Sequence, residues 1–197
     1  MENNVDSSTE IVYNDTQDDE NISVYNIVEA FNKAQLNIIN RLYGKNNNYK
    51  TGIESSRKRV DDLKILLNPE PKILSVSKKD GYYLSESLPN DYFHLVRVTC
   101  LASRKDCSKK EIFIYLQEES NLNTLLRNEN TNPNFEWGET IGTIVENNIK
   151  VFTLDKFEVS KLFLTYLRRP RAIDIPGYIK QDGSSSTQIN PEMPNDI

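Results

Sequence analysis

Tyr92-Phe93-His94-Leu95-Val96-Arg97-Val98-Thr99-Cys100-Leu101-Ala102, followed after a polar stretch by Glu111-Ile112-Phe113-Ile114-Tyr115-Leu116, decides the fold. Both runs are rich in β-branched and aromatic residues, and residues 104–110 between them are charged and polar, so the pair predicts two antiparallel strands around a turn. Apolar side chains occupy both parities of the first run, Val96, Val98 and Cys100 on one and Phe93, Leu95 and Leu101 on the other. That predicts central strands covered on both faces. In this pairing Cys100 stands opposite residues 112–114 and not opposite Cys107, so no disulfide is expected.

Working outward, alternation continues on both sides. Residues 73–77 and 82–85 flank Asp80-Gly81, residues 140–146 and 149–154 flank Asn147-Asn148, and residues 159–167 form a last strand. Leu122, Leu125 and Leu126 within 118–127 mark a short inserted helix. Upstream the period changes to three and four. Val24, Ile27, Val28, Phe31, Ala34, Ile38, Ile39 and Leu42 come after Ser23, a suitable N-cap, and stop at Gly44. After polar residues 45–50, a second helix over 52–67, with Ile53, Val60, Leu63, Leu66 and Leu67, halts before Pro69. The expected fold is α+β: a helical hairpin over 22–68 and an antiparallel, sandwich-like β domain over 69–171. Extended arms at 1–21 and 172–197 flank it.

The arms are legible from composition. Residues 1–21 hold seven acids (Glu2, Asp6, Glu10, Asp15, Asp18, Asp19, Glu20) and no Lys or Arg, so a net charge of −5 leaves +2 for the remainder. Such a stretch buries too little apolar surface to offset its ordering entropy and reads as an acidic arm. Residues 173–197, rich in Pro, Gly and Ser, read as a C-terminal docking arm. With 197 residues, 37% of them hydrophobic, the chain suits one core with arms, and it lacks any apolar run of bilayer-spanning length. The start lacks the basic and apolar regions of a secretion signal, so the chain is expected to stay inside the cell, its sequons at Asn14 and Asn21 incidental and its two cysteines free thiols.

Chemical candidates are few. A lone histidine, His94, cannot build a multi-histidine metal site, and its strand parity suits a hydrogen-bonded residue at the edge of the core better than a general base. Asp61 or Asp62 with Glu70 and Lys72 mimics a nuclease signature, but the aspartates fall on a helix and Pro71 obstructs the strand. No glycine pattern forms a phosphate cradle, so no cofactor is expected. Basic clusters remain: Arg57-Lys58-Arg59, whose plain reading is a solvated helix face, and Arg168-Arg169 with Arg171. An acidic chain is a poor free DNA binder, so these suit a protein partner with acidic patches. Trp137, within Asn134-Phe135-Glu136-Trp137-Gly138, and several of the tyrosines, Tyr178 among them, suit interfaces.

The stretches Tyr115-Leu116-Gln117-Glu118-Glu119, Phe135-Glu136-Trp137-Gly138-Glu139-Thr140, Ile149-Lys150-Val151-Phe152, Leu164-Thr165-Tyr166-Leu167-Arg168-Arg169-Pro170-Arg171 and Ile175-Pro176-Gly177-Tyr178 resemble virion structural proteins of crAss-like tailed phages, the head-to-tail connector or ring proteins. The resemblance spans residues 92–178 and rests on turn and strand signatures. It implies a non-enzymatic subunit of a homo-oligomeric ring on the portal, assembled in the host cytoplasm into the virion. Such a subunit extends the DNA channel, lets DNA pass without sequence-specific binding, and docks tail proteins. Arg168, Arg169 and Arg171 are then expected to pair with carboxylates of an adjacent subunit or the portal. Two alternatives stay open: a phage-encoded nuclease using His94 or the Asp62, Glu70, Lys72 set, and a host-directed interaction module acting through its acidic arm.

Overall fold

A computed structural model describes residues 23–43, 63–105, 107–180 and 182–192. Seven strands carry the fold: β1 (Lys72–Lys78), β2 (Tyr82–Ser87), β3 (Tyr92–Ser103), β4 (Lys110–Leu116), β5 (Glu139–Val145), β6 (Asn148–Phe152) and β7 (Glu158–Arg168). They close into a barrel in the order β1-β2-β6-β5-β4-β3-β7, with β7 returning to β1. All pairs are antiparallel except β4 with β5. A long helix, α1 (Val24–Tyr43), precedes the barrel, and a short one, α2 (Glu119–Arg127), joins the two parallel strands.

The interior is built by alternate residues of the strands, with the inward parity changing at bulges. Leu74, Tyr83, Val98, Cys100, Ala102, Ile112, Ile114, Ile149, Val151, Leu162 and Leu164 form a single buried cluster. Gly142 belongs to this wall because nothing larger fits. A Cβ there would lie 2.7 Å from Ile114 Cγ2 and 2.9 Å from the Lys150 carbonyl oxygen.

The expected helical hairpin and sandwich-like sheet are not what forms. The fold is mostly β, a closed barrel with two helices among the described residues. Of the expected second helix, residues 52–62 lie outside the described residues, and the remainder holds one 3-10 turn, Lys64–Leu66, after which Leu67 turns extended and bridges Leu167. Leu63 and Leu66 bury with Ile39 and Leu167, so their helical spacing reflects one anchoring turn ahead of Pro69 and Pro71. The barrel closes because β7 pairs on both edges, with β3 and with β1, and the β1 contacts join Ile73 to Phe163 and Leu74 to Leu162.

The two apolar parities of β3 also have another cause than a strand covered on both faces. Register shifts lie between Tyr92 and His94 and between Leu95 and Arg97. Each bulge inserts a residue and reverses which parity faces inward. Phe93 therefore packs with the α1 anchor, Leu95 packs on the barrel interior, Val98 and Cys100 point inward, and Val96 is left exposed. Cys100 does stand opposite Ile112, and burial lifts its thiol to about 12.

The C-terminal segment is likewise not an extended arm over residues 172–192. Bridges join Asp174 to Ile189 and Ile179 to Ser185, folding the segment back on itself. Asp174 sits at its centre, accepting from the Tyr178 hydroxyl at 2.8 Å, the Thr187 amide at 3.2 Å and the Lys180 ammonium at 2.8 Å. On α1, Asn32 Oδ1 accepts from the Ile173 amide and Nδ2 donates to its carbonyl, fastening the segment to the helix. Residues 1–22, which include the expected acidic arm, lie outside the described residues.

Candidate subunit interface

The α1 helix presents a wider apolar arc than the other described residues bury. At about 100° per residue, Val28, Gln35 and Ile39 share one face, and Val24, Ile27, Phe31 and Ile38 fill an adjoining arc about 60° wide. The first three are buried; the other four are exposed, Phe31 by 51%. Phe31 also lines a cavity of about 480 Å³ whose other walls, all from the C-terminal segment, include Ile173, Pro176, Ile189 and Pro191 beside the polar Asp174, Gln188 and Asn190.

A second apolar surface crosses the outer barrel wall. Ile73 pairs with Phe163, Phe163 with Thr99, and Thr99 with Phe113, so one row runs over four strands. Ile73 is 53% exposed, Phe113 46% and Tyr115, two residues on from Phe113, 50%. Arg97 lies over the Phe113 ring at 4.4 Å and Lys161 over Phe163 at 5.6 Å. Glu111 ties the row together, accepting from Thr99 Oγ1 at 2.6 Å and from Arg97 at 3.3 Å. Aromatic rings with arginine and a rim of paired charge are what protein interfaces concentrate.

The residues singled out in the sequence separate into different roles. Arg168 donates to both oxygens of Glu192, at 2.9 and 3.0 Å, and Arg171 reaches the same carboxylate at 3.4 Å. Their carboxylate partner is thus within the chain, and the Arg168 guanidinium holds the Glu192 carboxyl below the usual range. Arg169 lies 5.8 Å over the Phe93 ring. Tyr178 belongs to the Asp174 hub, and Trp137 stands 65% exposed. Arg57, Lys58 and Arg59 lie outside the described residues, as do Asp61 and Asp62.

His94 joins α1 to the barrel. Its Nε2 is 2.8 Å from Asn40 Oδ1, its ring stacks on Tyr43 at 4.3 Å, and burial lowers its pKa. Tyr43 in turn donates its hydroxyl to the Leu95 carbonyl. Glu70 and Lys72 are exposed. Among the described residues no cluster of His, Cys, Asp and Glu is set to hold a metal ion, and no helix is long and apolar enough to cross a membrane.

No protein-family model and no curated protein matches this chain.

The barrel-wall row is hard to see in the sequence because Phe113 and Tyr115 share one unbroken apolar run with the buried Ile112 and Ile114. Arg97 and Lys161 are the available signal: both share the parity of the exposed aromatics, and a charged residue on a strand marks its solvent face.

Proposed function

We propose that the chain is a non-enzymatic structural subunit of a phage head-to-tail connector ring, assembling on the portal, extending the DNA channel and docking tail proteins. The observation carrying this is that two different apolar surfaces of one chain, the α1 stripe and the barrel-wall row, are both exposed among the described residues. A surface that pairs with a copy of itself gives a twofold dimer; two unlike surfaces that fit each other give head-to-tail contacts, which close into rings. The α1 stripe of one copy, centred on Phe31, packs on the wall of the next, centred on Phe113. The net charge of −5 suits a channel that does not grip passing DNA, since like charges repel.

The test is assembly of the purified chain by native mass spectrometry and sedimentation. Phe31→Glu with Ile38→Glu, or Ile73→Glu with Phe113→Glu, each abolishes the ring. Mixing the two variants yields a heterodimer that grows no further, because each retains one working surface. A wild-type chain that stays monomeric, or variants that both still form the wild-type oligomer, overturns the proposal. Mass spectrometry of purified virions then asks whether the chain is a particle component.

A further inference from the structure

The barrel end remote from α1 carries a basic concavity. Arg104, Lys156, Pro133, Asn134, Phe135 and Glu136 enclose about 410 Å³ there. Lys110 donates to the Glu136 carbonyl at 2.9 Å and lies 4.7 Å over the Phe135 ring, and Lys156 donates to Asn132 Oδ1 at 2.9 Å and the Pro133 carbonyl at 3.2 Å. These oxygens are neutral, so they fix the two ammonium groups without cancelling their charge. Arg104 meets one exposed carboxylate, Glu136, at 2.9 Å. The turn adds Lys105 and Lys109, while Asp155 and Glu158, the latter opposite Ser103, subtract, as does Asp106 by its place in the sequence, leaving five cations against four acids. Trp137 comes next after Glu136, its amide held by Asn134 Oδ1 at 3.2 Å, with its ring exposed to solvent.

We infer that this basic end, with Trp137, receives the acidic segment 1–21 of a neighbouring copy. Charge complementarity selects the occupant: the segment carries seven acids and no base, and its Ile11-Val12-Tyr13 gives apolar side chains for the exposed indole. Position selects the neighbour. The segment joins the fold at Ser23, about 30 Å along α1 from Tyr43 by helical rise. Tyr43 contacts the Leu95 end of β3, and the half of α1 nearer Ser23 packs on the C-terminal segment leaving that same end of the barrel. The basic turn lies past Ser103, eight residues beyond Leu95 and so roughly 27 Å farther by strand rise. A path back along its own helix and barrel is about 57 Å, longer than the roughly 40 Å that the residues between Ile11 and Ser23 span when fully extended. A head-to-tail neighbour offers its basic end without that demand. The inference rests on the ring reading and adds to it which segment crosses between subunits.

The single tryptophan makes Trp137 emission a direct reporter in the full-length protein. Expected are a blue shift as protein concentration rises, and association at least about tenfold weaker between about 0.1 M and about 1 M NaCl, where the screening length falls from about 10 Å to about 3 Å. Glu10→Lys, Asp15→Lys and Asp18→Lys together abolish the shift, as do Lys110→Glu with Lys156→Glu, and combining both sets in one chain restores it. The first set lies outside the barrel, so its result stands even where the second lowers stability. Blue-shifted emission at every dilution would mean docking within the chain and would overturn the inference. Rings that form with unchanged Trp137 emission and indifference to both charge sets would overturn it while leaving the ring standing. A chain that never associates would remove the ring itself and the neighbour with it.

Discussion

Arg168 grips both oxygens of Glu192, at 2.9 and 3.0 Å, tying the end of β7 to a residue twenty-four positions later. The same carboxylate accepts the Arg171 amide at 2.9 Å, so one anion closes the C-terminal segment against the barrel end. Cations expected to reach for another subunit are thereby occupied in positioning the segment that forms most of the groove beside Phe31. Because the pair is partly exposed, its contribution is set at the low end for charged bidentate contacts, about 1 kcal/mol. Glu192→Gln should raise amide exchange in residues 172–180 about fivefold and leave exchange in β3 and β7 unchanged. Equal acceleration across the barrel would show that Glu192 has no such local role.

Acid should loosen the same segment first. The Lys180 ammonium, with the Tyr178 hydroxyl and the Thr187 amide, holds the Asp174 carboxyl down to about 2, and Arg168 lowers that of Glu192. Both folded values lie below the unfolded ones, so the stabilisation is complete above the ordinary carboxylate range, near about 4, and is lost as pH falls through it toward about 2. Hydrogen exchange monitored from about pH 5 down to about pH 2.5 should show residues 172–192 opening before the barrel. Asp174→Asn should flatten that pH dependence while loosening the segment at neutral pH. A segment opening only together with the strands would contradict this.

At Gly142 the barrel wall has no spare room. A methyl there meets Ile114 Cγ2 at 2.7 Å and the Lys150 backbone oxygen at 2.9 Å, and backbone cannot step aside as a side-chain tip can. Gly142→Ala should cost about 1–3 kcal/mol, by analogy with overpacked cores. For a chain of this size that is a fall in melting temperature of roughly 2–12 °C. An unchanged melting temperature would mean the β4–β5 pair can part without penalty.

What the sequence disclosed and what it hid divide by the range of the interaction. Each of the seven strands and the helix over 119–127 lies where local alternation or spacing places it, because period and turn chemistry act between near neighbours. Closure depends on Ile73 meeting Phe163 and on β4 lying parallel to β5, contacts between distant segments that no local pattern encodes. The bulges in β3 hide the barrel wall: by reversing parity they make exposed Val96 look like core. Asp174 is hidden differently. Its surroundings of Pro, Gly and Ser resemble a linker, and only the convergence of Tyr178, Thr187 and Lys180 on one carboxylate makes the segment fold.

Ile39 decides whether α1 stays on the barrel. It is fully buried with Leu63, Leu66 and Leu167, and beyond this cluster the helix is held by the Tyr43–His94 stack and the Asn32–Ile173 hydrogen bonds. Ile39→Ala removes the fully buried apolar group that α1 contributes to that cluster, a loss of about 2–4 kcal/mol where surrounding groups relax only partly. Since the strands close on one another without α1, the loss should fall on helix attachment and not on the barrel. Amide exchange in α1 should then rise by more than about tenfold while the β3, β4 and β7 amides keep their protection. Association should weaken alongside, although Ile39 touches no neighbour, because the stripe centred on Phe31 binds only when the helix beneath it is fixed. Exchange in α1 rising with assembly intact would mean that the helix is not part of the contact between copies, and the ring would have to rest on the barrel wall and its basic end alone.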